Sequence, residues 1–490
     1  MALNEHKREV VGSANHIEKL DQANGEKVCK RGGRMMKTVR IGAGQGFYGD
    51  SIYGALHMAK YGHVQYISFD TLAELTLAIL QKDRQKNPSL GYTKDITTTM
   101  THLLPYVRDQ GIKLITNAGG MNPHGAQEEV TRIAQSLGIS GLKVGVVTGD
   151  QVLHLLPEWE KQGFDLQDAA SGLPFDVIRD KVLFASAYLG AWPIVEALKQ
   201  GADIVITGRT TDTAQFLAPL MYELGWSDQD ADLIAQGILL GHLMECSAQA
   251  SGGNFSGDWW NIPDMDNLGY LIAEVREDGQ AVITKPEGSG GRVSVDTLKE
   301  QYLYEIHDPH QYMTPDIIAD FSNVEFKEVG ENRVAVSGVR GKPAPETLKV
   351  LIGYENGWMG QGMIGYSWPD ALKKAQKADE IVRKQIERYG IEVEEIHTEY
   401  LGYNSIHGPL ARPVDEENLN EVYLRVAVRT KDRATAERFG RLFPPLSLNG
   451  PPFVGSLSGM FSVRQLLGLW TVYVPRSWIE SQVKVEVKEV

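Results

Sequence analysis

The chain has 490 residues, a formal net charge of -14, 42% hydrophobic and 23% charged residues, and only two cysteines, Cys29 and Cys246. That length calls for two or three cores. The acidic balance argues against a nucleic-acid surface and against docking on anionic lipid, and the cysteine count excludes a disulfide framework and fits a reducing cytosol. No apolar run approaches the roughly 18 residues of a membrane span, so a cytoplasmic protein with no membrane partner is expected. Residues 1–36 are polar and lack the apolar stretch of a signal peptide. They are expected to be a mobile extension or a short arm on a neighbour.

The folded part begins near Lys37. Val39-Arg40-Ile41 has the composition of a strand, Gly42 to Ser51 that of a glycine-rich turn, and Ile52 to Tyr61 that of a helix. Strand, glycine turn and helix in that order can aim backbone N–H groups at an anion. Phe47 stands where a dinucleotide fingerprint would carry its third glycine, so a tight structural turn is an equal reading. A second strand, 64–69, ends at Asp70, and helical spacing runs from Thr71 to Gln81. Asp70 is placed either to hold a ribose or substrate hydroxyl or to cap that helix. Lys113 to Thr116 is a third strand, ending in Asn117-Ala118-Gly119-Gly120-Met121-Asn122. A helix over 127–137 leads to strand 144–148 with Gly149-Asp150, and helix 191–200 leads to strand 203–207 with Gly208-Arg209-Thr210-Thr211-Asp212. This alternation predicts an α/β fold with a mostly parallel sheet and helices on both faces. Ligands bind beyond the carboxyl ends of such strands, so these loops should converge on one crevice.

An apolar helical run, 233–244, leads into Glu245-Cys246-Ser247-Ala248-Gln249-Ala250-Ser251-Gly252-Gly253-Asn254-Phe255, the densest polar stretch of the chain. After Trp260 the texture changes. Residues 270–275 and 281–284 flank an Asp-Gly turn, Lys285 to Arg292 is a second glycine-rich run, and 324–338 alternates like another hairpin. Residues 371–389 form an amphipathic helix, followed by strand-like 421–428, a helix over 432–442 and strand-like 470–474. The expected layout is an extension at 1–36, an α/β domain at 37–260, a β-rich domain at 261–370 and a small α+β C-terminal domain at 371–490.

Phosphate-loop, His-Glu-x-x-His, paired Cys-x-x-Cys and Gly-x-Ser-x-Gly motifs are all absent. Nothing identifies a cofactor, and a bound metal stays unknown. The catalytic candidates are Glu245, as an acid or base raised by burial, His307 in Tyr304-Glu305-Ile306-His307-Asp308, and Cys246 as a nucleophile. Each has a plain structural alternative, a small buried hydrophobe in the case of Cys246. Candidates for holding a substrate or its anionic group are Gly42, Gly44, Gly46 and Asp50 in the first loop, Asp70, and Asn117, Gly119, Gly120 and Asn122 in the third. Arg209 and Asp212 are either a structural ion pair or an anion clamp. Ser251, Gly252, Gly253 and Asn254 form one wall of the crevice, with Lys285, Gly290, Gly291 and Arg292 closing over it.

Taken in order, the motifs at 42–50, 117–120, 207–209, 245–255, 269–275, 284–293 and 304–309 resemble the acyclic terpene utilisation family of AtuA type, over about residues 37 to 480. The resemblance implies a cytosolic bacterial protein of branched acyclic terpenoid catabolism, the breakdown of citronellol and geraniol, which proceeds through CoA thioesters with carboxylase and hydratase steps. The expectation is an enzyme acting on a carboxylated or CoA-linked branched acid by lyase- or hydratase-type acid–base chemistry. The alternatives are a non-catalytic acyl-CoA-binding or scaffolding subunit and a nucleotide-dependent enzyme. The expected partners are a small-molecule acid or acyl-CoA, other enzymes of the same pathway and further copies of the chain.

Overall fold

The computed structural model describes residues 29–31, 34–455 and 461–490. Most of the expected N-terminal extension lies outside them; within it, Cys29–Arg31 pairs antiparallel with Arg34–Met36.

The first half of the chain alternates strands and helices: β1 (Thr38–Gln45), α1 (Ile52–Tyr61), β2 (Tyr66–Phe69), α2 (Glu74–Lys86), α3 (Ile96–Gln110), β3 (Lys113–Thr116), α4 (Pro123–Ser136) and β4 (Lys143–Thr148). Then come β5 (Val182–Ala187), α5 (Trp192–Lys199), β6 (Ile204–Thr207), α6 (Ala214–Leu224) and α7 (Ala231–Met244). Strands β1, β2, β3, β6 and β4 lie side by side in that order and are all parallel. Their apolar side chains, such as Ile67, Ile115, Val205 and Val144, are buried, as expected of strands covered on both sides. Helices α1, α3 and α4 pack on one another, α5, α6 and α7 do likewise, and both sets touch the same strands. They are the two outer layers. The connection through α4 carries the chain from β3 past β6 to β4, and β6 then fills the gap. The loop after β3 thus leaves for one helix layer and the loop after β6 for the other, which makes their boundary the topological switch point.

The sheet does not stop there. It has ten strands and is mixed rather than mostly parallel. Strands β7 (Ile272–Arg276) and β8 (Ala281–Thr284) form the predicted Asp-Gly hairpin and join β1 antiparallel; β9 (Glu325–Gly330) and β10 (Arg333–Ser337) extend that side, and helix α8 (Val295–Leu303) lies between the two hairpins in the chain. The change of texture after Trp260 is therefore a change of strand direction within one sheet, and residues on both sides of it share one core.

A second, antiparallel sheet is built on β11 (Thr347–Ser367), a strand of 21 residues, with α9 (Ala371–Arg388), β12 (Glu395–Leu401), β13 (Glu421–Thr430), α10 (Arg433–Gly440) and β14 (Phe461–Pro475). Its order is β12-β13-β11-β14, and β5 adds to β11 beside β13. Helix α9 covers one face through Ala371, Leu372, Ala375, Ala378, Val382 and Ile386, spaced at three and four residues. The last strand, β15 (Lys484–Glu489), returns to the main sheet and pairs antiparallel with the outer edge of β4. Among the described residues no helix is long and apolar enough to cross a membrane.

Candidate functional site

Arg209, just beyond β6, is the largest fully buried side chain, at 1% exposure. A guanidinium at such depth is costly unless its charge is paired. One nitrogen donates to Asp212 Oδ1 at 2.7 Å and to the Leu72 carbonyl, and the group lies 4.2 Å from the centroid of the Tyr188 ring. Lys349 of β11 also approaches that ring, at 4.6 Å, and reaches Glu74 Oε1 at 3.2 Å; the Tyr188 hydroxyl donates to the same oxygen at 2.5 Å. Burial pushes the Glu74 carboxyl up, but Arg209, the Tyr188 hydroxyl and Lys349 outweigh it and hold it at about 2.

Around this cation stand more carboxyls than it can neutralise. Asp70 accepts from Asn117 Nδ2 at 2.6 Å, and Asn117 Oδ1 in turn receives the Thr71 amide at 2.7 Å and hydroxyl at 2.9 Å. The residue after β2 and the residue after β3 are thereby locked across the strand ends. Glu245, one residue past α7, is 6% exposed. Its Oε1 meets His242 Nδ1 at 3.1 Å, one turn back on the same helix, while Oε2 has no partner among the described residues. Burial raises both carboxyls well above the ordinary range, and Asp212 adds to each; Arg209 pulls the other way without reversing either shift. Burial thus favours the neutral acid form of Glu245. Burial lowers His242, which favours the neutral imidazole. Burial also raises the Cys246 thiol, and the neighbouring Glu245 raises it further. That opposes formation of the thiolate a nucleophile needs.

Asp150, beyond β4, supports the cluster from below. Its Oδ2 accepts the Arg209 amide at 3.1 Å and the Ser186 hydroxyl at 2.9 Å, while Oδ1 is buried and has no partner among the described residues. Burial lifts this carboxyl to about 6 despite those donors. A raised folded-state value means that the native state binds the proton more tightly than the unfolded chain. Its stabilisation is complete below the ordinary carboxylate value near 4 and is lost as pH rises through about 6. Asp150→Asn should remove a fall of about 3 kcal/mol between those limits, at 1.36 kcal/mol per unit. Urea unfolding of both proteins from pH 4 to 7 checks this through the difference of their slopes.

At Cys246, the residue after Glu245, an open cleft begins. It has a volume of about 840 Å³ and lies between the start of α1 and the segments 246–254 and 265–270, with Cys246, Ser247 and Asp50 in its lining. Asp50 ties these parts together: it accepts from the Gly46 amide at 2.9 Å, the Ser51 amide at 2.7 Å, the Tyr270 hydroxyl at 2.9 Å and the Ser247 hydroxyl. A side chain at Gly46 would come within 2.8 Å of the Glu245 carbonyl and the Ser247 amide. Glycine there is what lets the first loop and the 245–255 stretch touch.

The predicted residues fall into distinct groups. Asp70, Asn117, Arg209, Asp212 and Glu245 come together, with Asp50 and Cys246 beside the cleft. Gly42 and Gly44 are not in a turn: β1 continues to Gln45, and a Cβ at either position would strike Met58 or the Phe69 ring, so both permit close packing. The Gly46 and Gly49 amides are taken by Asp50 and Asp95, the latter at 2.9 Å, and are committed within the protein. Gly119 brings its backbone against the Thr207 carbonyl and Pro123, Gly120 has φ 50°, and Asn122 caps α4 by accepting the Gly125 amide at 3.0 Å. Ser251 is buried and donates to the Gly269 carbonyl at 2.6 Å, Gly252 has φ 110°, and Gly253 and Asn254 line the cleft. The 285–292 run braces this wall: the Arg292 amide donates to the Ser251 carbonyl at 2.7 Å, the Gly290 amide to Asn267 at 2.8 Å and the Gly291 amide to Pro263 at 2.7 Å. Its two cations are engaged locally, Lys285 with the Ser289 carbonyl and Arg292 with Asp258. His307 is exposed on the segment after α8 and has no hydrogen bond to the cluster among the described residues. Among those residues no group of three or more His, Cys, Asp and Glu side chains is arranged to hold a metal.

The chain is thus a mixed α/β protein whose polar side chains gather at the switch point of its open sheet. The chain belongs to the acyclic terpene utilisation family, AtuA, whose model matches residues 39–485. Membership associates it with the use of acyclic terpenes. No curated protein matches the chain.

Proposed function

We propose that the chain is an enzyme of acyclic terpenoid breakdown that performs lyase- or hydratase-type acid–base chemistry on a carboxylated or CoA-linked branched intermediate. The observation that carries this reading is Glu245: a buried carboxyl shifted towards its neutral form, with one oxygen unpaired among the described residues, next in the chain to Cys246 of the cleft lining and accompanied by a second raised carboxyl, Asp70. Raised carboxyls beside a cleft suit proton transfer near neutral pH. In hydration, one carboxylate takes a proton from water as its oxygen adds to the double bond, and one carboxyl gives a proton to the neighbouring carbon, so one water is added in all. Arg209 pairs with Asp212 through one nitrogen, while its buried Nε has no partner among the described residues. The cleft is large enough for a branched chain of about ten carbons, given that ligand sites commonly span about 300–1,000 Å³.

The test is turnover of enoyl-CoA and hydroxyacyl-CoA panels by the purified protein. Glu245→Gln keeps the shape and the neutral charge state, so the fold should persist while the rate falls about 10²–10⁴-fold. Unchanged turnover in that variant removes Glu245 from the chemistry, and ligand binding without turnover in the natural protein moves the reading to a non-catalytic acyl-CoA-binding subunit.

A further inference from the structure

His242 sits in the last turn of α7, 1% exposed, three residues before Glu245. That spacing puts the two side chains on one face of the helix, and Nδ1 lies 3.1 Å from Glu245 Oε1. The other ring nitrogen, Nε2, faces the carbonyl of Tyr302 on α8 at 3.3 Å. The residue is held from several sides. Gln301 donates its side-chain amide to the His242 carbonyl at 2.9 Å, and the Tyr312 and Phe321 rings stand 5.6 and 6.0 Å from the imidazole.

A carbonyl can only accept, so a neutral His242 carries its proton on Nε2 and turns the Nδ1 lone pair towards Glu245. An ionised Glu245 would set two lone pairs against each other, and its charge would be buried with Oε2 unpartnered among the described residues. We infer that Glu245 and His242 form one proton-holding pair: the acid proton rests on Oε1, bound to Nδ1, and a substrate proton enters at Oε2 while the first passes to the imidazole. His242 thereby lets a carboxyl that already holds a proton act as a base. In hydration, the water oxygen forms the C–O bond with a lone pair and keeps the electron pair of the O–H bond that breaks. The released proton goes to Oε2, and the Oε1 proton moves to Nδ1. The electron pair of the double bond takes a proton for the second carbon from another carboxyl, such as Asp70. One proton returning from the pair to that carboxyl restores the starting state. This inference rests on Glu245 being the acid–base group and assigns it the accepting role; His242 acts through it, as a positioning residue. The groups whose charge bears on the pair are Asp70, Asp212, Glu305, Arg209, Tyr312 and Cys246. Burial raises Glu245 and lowers His242, in keeping with a carboxyl beside a neutral imidazole.

Infrared difference spectra of the full chain in heavy water at neutral pH, natural protein minus Glu245→Gln, read the proton without any substrate. The expected result is the C=O stretch of a protonated carboxyl, and it should move in a His242→Gln background, where a donor for the Tyr302 carbonyl remains and the acceptor for Oε1 is gone. A missing band, or one that stays in place, overturns the inference. Nitrogen NMR of the natural protein asks the same without that variant: His242 should be protonated on Nε2 and bare at Nδ1, and a proton on Nδ1 alone overturns it. On the CoA panels, His242→Gln should lower kcat about 10²-fold with KM unchanged. A kcat unchanged in His242→Gln but lost in Glu245→Gln sinks the relay alone. A kcat unchanged in both sinks the catalytic role of Glu245 on which the relay rests.

Discussion

Arg209→Ala is expected to lower the unfolding free energy by about 3–5 kcal/mol, the usual result of removing one member of a buried ion pair. The loss is of two kinds. The Leu72 carbonyl and the face of Tyr188 lose their partner, and a cavity opens under the switch point. Asp70, Glu74 and Asp212 lose the one fully buried positive charge among them. Because the second loss depends on ionised carboxyls, the deficit in urea unfolding should be greatest at neutral pH and should shrink towards pH 4. Arg209→Lys should not rescue it fully, since a point charge cannot both pair with Asp212 and lie flat on the tyrosine ring. A deficit that is small, or flat with pH, would show that the cluster does not depend on this cation.

Trp470→Ala should cost a similar amount, about 3–5 kcal/mol for a buried tryptophan. The residue is 3% exposed on β14, donates its indole N–H to the Leu166 carbonyl at 2.8 Å, and meets Phe175 and Tyr354 edge to face, each at 6.4 Å. Next to it the Thr471 amide donates to Asp168 Oδ1 at 2.9 Å. The second sheet is thereby tied to the segment that precedes β5. That sheet supplies Lys349, and the loop after β5 supplies Tyr188, so loosening it should also disturb the ring beneath Arg209. Trp470→Phe keeps most of the apolar contact and strands only one buried carbonyl, which should cost about 1–3 kcal/mol. Thermal or urea unfolding of the two variants checks both the size and the order of the effects.

The parallel strands, the Asp-Gly hairpin, α7 and α9 were legible because each carries a local signal: β-branched runs, a turn dipeptide, or apolar spacing at three and four residues. Helix α3 escaped notice because Thr97, Thr98 and Thr99 and an internal Pro105 argue against a helix, although Ile96, Met100, Leu103, Leu104 and Val107 bury one face of it. Tertiary packing overrides propensity there. Strand β5 pairs with β11, more than 160 residues away in the chain, and no local pattern announces such a partner. The site shows the same division. Asp70, Arg209 and Glu245 could be suspected from their places at element ends. Tyr188, Lys349 and His242 could not, because their roles arise from neighbours supplied by distant segments or from burial within a helix. The first glycine run misled for a related reason: spacing does not distinguish a glycine that admits a ligand from one that admits Met58 or Phe69.

The last strand, β15, carries a consequence for how the chain is made. The five parallel strands are all synthesised by Thr207, but the partner that covers the outer edge of β4 consists of residues 484–489. At about 5–20 residues per second, that edge waits on the order of tens of seconds on the ribosome. Through that interval a row of unpaired backbone groups is open to a neighbouring nascent chain. Vectorial synthesis thus makes residues 484–489 a guard against misassembly, and truncation before Lys484 would leave the waiting state permanent.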